Sequence, residues 1–255
     1  MEDKSDGSEI DPRFEALKQL AESVYIVPSE KDKMSLVQTL KACAKPTTLA
    51  FVNAHAFNLC WTSTDTRQAF KAADIVLRDG KGLEILFQKA GKDPGLNMNG
   101  TDFIPNFLNI CPTKRLAVYG TKEPWLSKAC DRFKEEGKTV VSRLDGFQSL
   151  EAYIEDIRKT EPEIILLAQG MPRQEMLADK IKLAFPDQPI LIICGGAIVD
   201  FLADRFERAP LWMQKLGLEW AYRLLREPKR LFRRYVIGNI TFLLRAQKLS
   251  RVMSS

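Results

Sequence analysis

The 255 residues contain no run of eighteen or more apolar side chains, so nothing in the chain reads as a bilayer-spanning helix. There is one histidine, His55, and the five cysteines form no CxxC or CxC pair. A zinc site and a disulfide scaffold are thereby excluded. Cys43, Cys60, Cys111, Cys130 and Cys194 read instead as reduced thiols in apolar surroundings. No G-x-G-x-x-G follows an apolar run. The nearest match, Gly80-Lys81-Gly82, lacks the third glycine, so a dinucleotide cofactor has no support. P-loop and G-x-S-x-G patterns are missing too. So is any Asp-x-Asp pair. An enzyme of this sequence that handles a nucleotide diphosphate must neutralise phosphate with Arg, Lys or helix N-termini, and neither a metal nor a cofactor is expected.

What the chain does hold is a globular composition, 45% apolar and 28% charged, long enough to bury a substantial core. Residues 1–11 are acidic and polar, unlike a secretory leader, and read as a disordered end. Charge divides the remainder. From Arg205 onward twelve Lys and Arg stand against three Glu, a net charge of +9. With +5 for the whole chain, the first 204 residues carry −4. A mildly acidic body with a basic tail implies an anionic partner: nucleic acid, a membrane surface or a phosphorylated substrate.

Residues 12–45 read as two helical stretches, with Phe14, Leu17, Leu20 and Val24 at helical spacing. A rhythm follows. Apolar runs at Thr48–Val52, Ala73–Leu77, Arg115–Tyr119, Lys138–Ser142, Ile164–Ala168 and Pro189–Cys194 alternate with amphipathic stretches such as Lys122–Glu136, Leu150–Arg158 and Arg173–Ala184. This alternation predicts an α/β fold with a mostly parallel, Rossmann-like sheet flanked by helices over 12–204. After Asp204 the rhythm stops. Pro210–Leu225 and Lys229–Lys248 read as two helices parted at Pro228, so 205–255 is expected to form a basic helical appendage.

In an open parallel sheet ligands bind beyond the carboxyl ends of the strands. The residues there are Asn53 with His55, Asp79-Gly80, Gly120-Thr121, Asp145-Gly146, Gln169-Gly170 and Gly195-Gly196. Asp79 on this rim can take a proton from an attacking hydroxyl, or it can cap the helix that begins near Lys81. For Asp102, after Gly100-Thr101, capping is the expected role. The helix start at Gly170-Met171-Pro172 offers free N–H groups to a phosphate, and Gln174 can reach a sugar hydroxyl. In the tail, Arg223, Arg226, Arg230 and Arg233 fall on one stripe if helix continues past Pro228. With Trp220, Leu224, Phe232 and Ile240 interleaved, the tail suits an anionic membrane or a lid over a diphosphate. A basic-tailed nucleic-acid-binding module is the alternative of a different class. It lacks a reader motif, and the acidic body disfavours it.

Several segments together resemble the WecG/TagA/CpsF glycosyltransferases. They are Arg208-Ala209-Pro210, Gly217-Leu218-Glu219-Trp220, Tyr222-Arg223-Leu224, Glu227-Pro228-Lys229-Arg230 and Arg233-Arg234-Tyr235. Upstream, Asn53, Ala73-Asp74-Ile75-Val76, Asp79-Gly80, Gly100 with Asp102, Gly170 with Pro172, Gln174-Glu175, Gly195-Gly196 and Asp200-Phe201 follow in order. The resemblance implies an inverting, metal-independent transferase. Its donor would be a UDP-sugar and its acceptor a sugar on a polyprenyl diphosphate, reached by peripheral attachment to the cytoplasmic face of the membrane. It implies Asp79 as catalytic base and Asn53, Asn97, Gly170, Gln174, Gly196 and Asp200 around the substrates. It also implies Arg223, Arg230 and Arg233 on the acceptor diphosphate, and leaves homo-oligomerisation open. Members that transfer N-acetylmannosamine usually carry Thr where this chain has Phe51 and Arg where it has Asn97. The run Asn97–Asp102 is more similar to exopolysaccharide members of the xanthan-type glucosyltransferase kind. On that likeness glucose is the expected donor sugar, with N-acetylmannosamine or its uronic acid as the alternative.

Overall fold

The computed structural model describes residues 11–254. The expected disordered end therefore lies outside the described residues, apart from Asp11, whose carboxylate caps the helix Pro12–Glu22 through the N–H of Arg13. Among the described residues seven strands form one sheet: β1 (Val24–Tyr25), β2 (Thr47–Val52), β3 (Ile75–Arg78), β4 (Leu116–Gly120), β5 (Val140–Leu144), β6 (Ile164–Ala168) and β7 (Leu191–Cys194). Their order is β1-β3-β2-β7-β6-β4-β5 and every pairing is parallel. β4, β6 and β7 are buried along their whole length, which explains why their sequences run apolar without alternation.

Alternate residues of each strand feed two separate cores. Ala50, Val52, Tyr119, Leu167 and Ile192 face one side, and Leu49, Phe51, Val118, Leu166 and Ile193 the other. Helices packed on both faces cover them, giving the α/β Rossmann-like fold that the strand–helix rhythm implies. Residues 24–78 build β1-β3-β2 and residues 116–194 build β7-β6-β4-β5, so the two parts of the sheet adjoin at β2 and β7. A crevice opens at the carboxyl edge of such a junction.

Local differences from the sequence reading have local causes. Val24–Tyr25, expected within helix, is an edge strand paired with β3, Val24 opposite Val76. Its run of β-branched and aromatic residues, Val24–Val27, suits that edge better than a helix end. The helix expected from Lys122 starts at Trp125, after Pro124. The helix expected over Pro210–Leu225 is two, Leu211–Lys215 and Glu219–Arg226, broken at Gly217 with φ +71°. The last helical stretch begins at Pro228, widens into a π turn over Arg233–Ile237 and continues as Gly238–Ser254.

That last helix shares the body's core. Phe242, Ala246, Leu249 and Met253 are buried in the same cluster as Ala56, Phe57, Leu83 and Leu86, with Phe242 edge-on to Phe57 at 5.8 Å. Outside the core, Trp61 is flanked by Arg13 at 4.4 Å and Arg245 at 4.5 Å. The tail beyond residue 205 is thus two things: a segment arching over the sheet edge, and a terminal helix bolted to the α/β body.

Candidate active site

Between the sheet's carboxyl edge and the arching segment lies a cleft of about 1310 Å³. A single small-ligand pocket holds roughly 300–1,000 Å³, so there is room for two substrates together. All six strand-end turns singled out in the sequence contribute to it: Asn53 with His55, Asp79 with Gly80, Thr121, Gly146, Gln169 with Gly170, and Gly195 with Gly196.

Strand register explains the floor. β2 and β3 pair with Val52 opposite Arg78, so the next residues, Asn53 and Asp79, emerge side by side. Asn53 Nδ2 donates to Asp79 Oδ2 at 3.3 Å. Its Oδ1 accepts from the N–H groups of His55 and Ala56, capping the helix Ala54–Thr62. Asp79 itself caps nothing. The N-cap of Lys81–Lys89 is Gly80 at φ +85°, with no side-chain bond. Burial raises the pKa of the Asp79 carboxyl and the nearby Glu219 charge adds to the rise. The Asn53 hydrogen bond and the charges of Arg234 and Arg78 oppose it.

Arg78, on the other face of its strand, is buried and donates to the carbonyls of Pro94, Gly95 and Gly80. Asn97 completes this corner from the next loop, its Oδ1 accepting from the Gly80 N–H at 2.8 Å. His55 faces the cleft, where burial and the Arg234 charge lower its pKa to about 4, so it is neutral near pH 7.

On the second half of the sheet the loops after β6 and β7 are joined by one side chain. Gln174 Oε1 accepts from the Gly170 N–H at 3.2 Å and the Gly196 N–H at 2.9 Å. The Gly170 N–H, expected to be free for phosphate, is therefore engaged. Gln174 is 1% exposed and holds the floor together from beneath, a different placement from the outward reach to a sugar hydroxyl that its position suggested. Asp200 accepts from Thr121 Oγ1 at 2.5 Å and from Arg205 at 3.0 Å. Asp102 is not the cap of its helix. Asn99 is, while Asp102 pairs with Asn99 and Arg208.

The roof is cationic. Arg205, Arg223, Arg230 and Arg234 all border the cleft. The first three lie 5.1–5.8 Å from the Phe206 ring centre, so one aromatic ring gathers three guanidiniums. Arg230 is paired with Glu227 at 2.6 and 2.7 Å. Arg223 and Arg234 each have a buried Nε with no hydrogen-bond partner, and burial lowers the Arg234 pKa. Donors of that kind are satisfied by an incoming anion.

Arg233, expected at the site, is exposed and does not border the cleft. Its neighbour Arg234 does. The sequence stripe assumed regular α-helix, whereas the helix from Pro228 widens into a π turn over Arg233–Ile237, so the residue that follows Arg230 onto the cleft is four places on, not three. Arg205 and Arg234 were both missed as site residues. The dense arginine run was the available signal, but only the fold says which members turn inward.

Such a site, a half-buried carboxylate facing several arginines across a cleft at the carboxyl edge of a parallel sheet, lies where α/β proteins bind their ligands. More narrowly, the chain belongs to the glycosyl transferase WecG/TagA/CpsF family, whose model matches residues 25–254. It is similar to the N-acetylglucosaminyldiphosphoundecaprenol N-acetyl-beta-D-mannosaminyltransferase of Bacillus spizizenii (strain W23), with 29% identity over 164 residues, 62% of this chain and 63% of that protein. A protein of the same description from Bacillus subtilis (strain 168) is 25% identical over 175 residues, 65% of this chain and 66% of its own length. The matched regions thus span just under two thirds of these relatives.

Proposed function

We propose that the chain transfers a sugar from a UDP-sugar to a sugar carried on a polyprenyl diphosphate, by direct displacement with inversion and without a metal. The observation that carries this reading is Asp79, the carboxylate held by Asn53 at the cleft floor. Asp79 takes the proton of the acceptor hydroxyl while the hydroxyl oxygen attacks the anomeric carbon. The bond from that carbon to the diphosphate oxygen breaks, and UDP leaves with the bonding electrons. A raised pKa suits a base that must bind a proton during the reaction and release it afterwards. The arginine roof supplies the positive charge that a metal gives other diphosphate enzymes, with Arg223 and Arg230 joined by Arg234 in the place expected of Arg233.

For the donor sugar we favour N-acetylmannosamine, on the activity in the names of the two relatives. The glucose expectation rested on the likeness of Asn97–Asp102 to exopolysaccharide members, with Phe51 and Asn97 as departures from the N-acetylmannosamine pattern. Both residues border the cleft, but Phe51 is 4% exposed beneath Gly100 and the Asn97 side-chain carbonyl is taken by Gly80. Neither supplies a feature that separates the two sugars. Among the described residues no helix is long and apolar enough to cross a membrane. We place the protein on the cytoplasmic membrane face by the exposed Leu211, Trp212, Leu216 and Leu225, set among the tail's basic residues.

The test is a transfer assay with UDP-N-acetylmannosamine, its uronic acid and UDP-glucose, on a short polyprenyl-diphosphate acceptor bearing N-acetylglucosamine or glucose. Asp79→Asn is run alongside. The variant is expected to lose about a hundredfold to ten-thousandfold in kcat while still binding UDP, and EDTA is expected to leave the wild-type rate unchanged. A fully active variant would remove Asp79 as the base. Exclusive transfer from UDP-glucose would overturn the donor assignment.

A further inference from the structure

Beneath the cleft floor lies a carboxyl group that this chemistry does not use. Glu175 follows Gln174 in the first turn of the helix Arg173–Ala184, and each is 1% exposed. Glu175 Oε1 accepts from Gln174 Nε2 at 2.8 Å. Its Oε2 is buried with no hydrogen-bond partner. Burial pushes its pKa up to about 7, and the Cys60 and Cys194 thiols, whose own pKa values are raised by burial, sense its charge. A carboxyl with an orphaned oxygen is a costly way to fill a core, and a purely structural site would be served by an apolar side chain.

The geometry gives it a task. A primary amide has a donor end and an acceptor end of almost the same shape. Gln174 must present its acceptor end to two N–H groups at once, those of Gly170 and Gly196, which belong to loops following different strands. Flipped by half a turn, it would bring an NH₂ group against both donors. What holds the amide in the productive sense is an acceptor at its other end, and Glu175 Oε1 is that acceptor. The two glycines so clasped have φ +77° and +60°, and a Cβ added to either would meet nothing within 4 Å. Both backbones border the open cleft.

We infer that Glu175 is a positioning residue: through the Gln174 amide it locks the Gly170 and Gly196 turns into one rigid ledge for the nucleotide sugar. This rests on reading the cleft as a nucleotide-sugar site. Because the lock needs only an acceptor, Glu175→Gln preserves it when its carbonyl takes the place of Oε1, whereas Glu175→Leu removes it at similar volume.

The experiment measures UDP binding by titration calorimetry and steady-state transfer for both variants. Glu175→Leu is expected to weaken UDP binding and raise the donor KM about tenfold, the scale of one buried hydrogen bond, with kcat changed far less because Asp79 is untouched. Glu175→Gln is expected to stay within about twofold of wild type on both measures. A folded Glu175→Leu that binds UDP as wild type overturns the inference, as does a Glu175→Gln variant that is as weak as Glu175→Leu. Should Glu175→Leu fail to fold, amide hydrogen exchange on the wild-type protein decides. The Gly170 and Gly196 amides are expected to exchange slowly and together, and fast, independent exchange refutes the clasp. Should the wild type bind UDP but transfer no sugar, the proposed reaction fails while the binding and exchange results still judge Glu175. Should it bind no UDP, the nucleotide-sugar reading and the ledge proposed for it fail together, and the exchange result then concerns the clasp alone.

Discussion

Replacing Asn53 by Asp separates the two jobs of one side chain. Its Oδ1 caps the helix Ala54–Thr62 through two N–H groups at 3.1 and 3.2 Å, and its Nδ2 donates to Asp79 at 3.3 Å. Aspartate caps a helix about as well as asparagine, so Asn53→Asp keeps the cap. The donor facing Asp79 becomes an oxygen, and two carboxylates meet at hydrogen-bonding distance. At an effective dielectric of about 20, unit charges about 3.3 Å apart repel by about 5 kcal/mol. The pair escapes that cost by holding one proton between them, and Asp79 is then no longer a free base near neutrality. We expect kcat to fall about a hundredfold to a thousandfold near pH 7 and to recover as the pH rises and the shared proton leaves.

Stability moves the opposite way. The pair binds its proton more tightly folded than unfolded, so its contribution is fully present in acid. It is lost as the pH rises from the ordinary aspartate range through the raised value of the folded pair. The assay is kcat against pH from about 5.5 to about 9.5, with thermal melts over the same range. Asn53→Ser serves as control, since it keeps a cap without adding charge. An Asn53→Asp protein with the wild-type pH profile would refute either the Asn53–Asp79 contact or the role of Asp79 as base.

Arg234→Gln is expected to weaken transfer by about tenfold to a hundredfold, the scale of a charge-assisted hydrogen bond to phosphate, while Arg233→Gln leaves it within about twofold. Equal losses in a kinetic comparison would mean the helical phase at the roof is wrong. Trp212→Ser combined with Leu216→Ser is expected to release the protein from anionic vesicles in a sedimentation assay without lowering its melting temperature, and unchanged binding would remove that face as the membrane contact. Phe242→Ala is expected to cost about 3–5 kcal/mol in denaturant unfolding, because its ring fills the core against Phe57. A loss under about 1 kcal/mol would show the terminal helix to be a detachable appendage.

Much of this protein is legible one residue at a time. Apolar runs such as Ile164–Ala168 announce strands because a strand covered on both faces has no polar side to spare. The turns after those runs mark the cleft because a parallel sheet has only one ligand-binding edge, and that is how Asp79, Asn53 and Gly196 came to notice. The charge division after residue 204 marked the segment that lines the cleft with Arg205, Arg223, Arg230 and Arg234.

The rest is decided by distances that no local pattern contains. That Asn53 meets Asp79 depends on the register of β2 against β3. That Gln174 turns inward depends on two loops following different strands, both offering it a donor. Arg234 replaces Arg233 at the roof because the helix widens into a π turn after Arg230, which shifts the facing residue by one. The terminal helix joins the body because Phe57 and Leu86, far away in sequence, leave an apolar face that Phe242 and Leu249 complete. Periodicity reports how a segment folds against water. Register, helical phase and the choice of packing partner are set only when the segments meet.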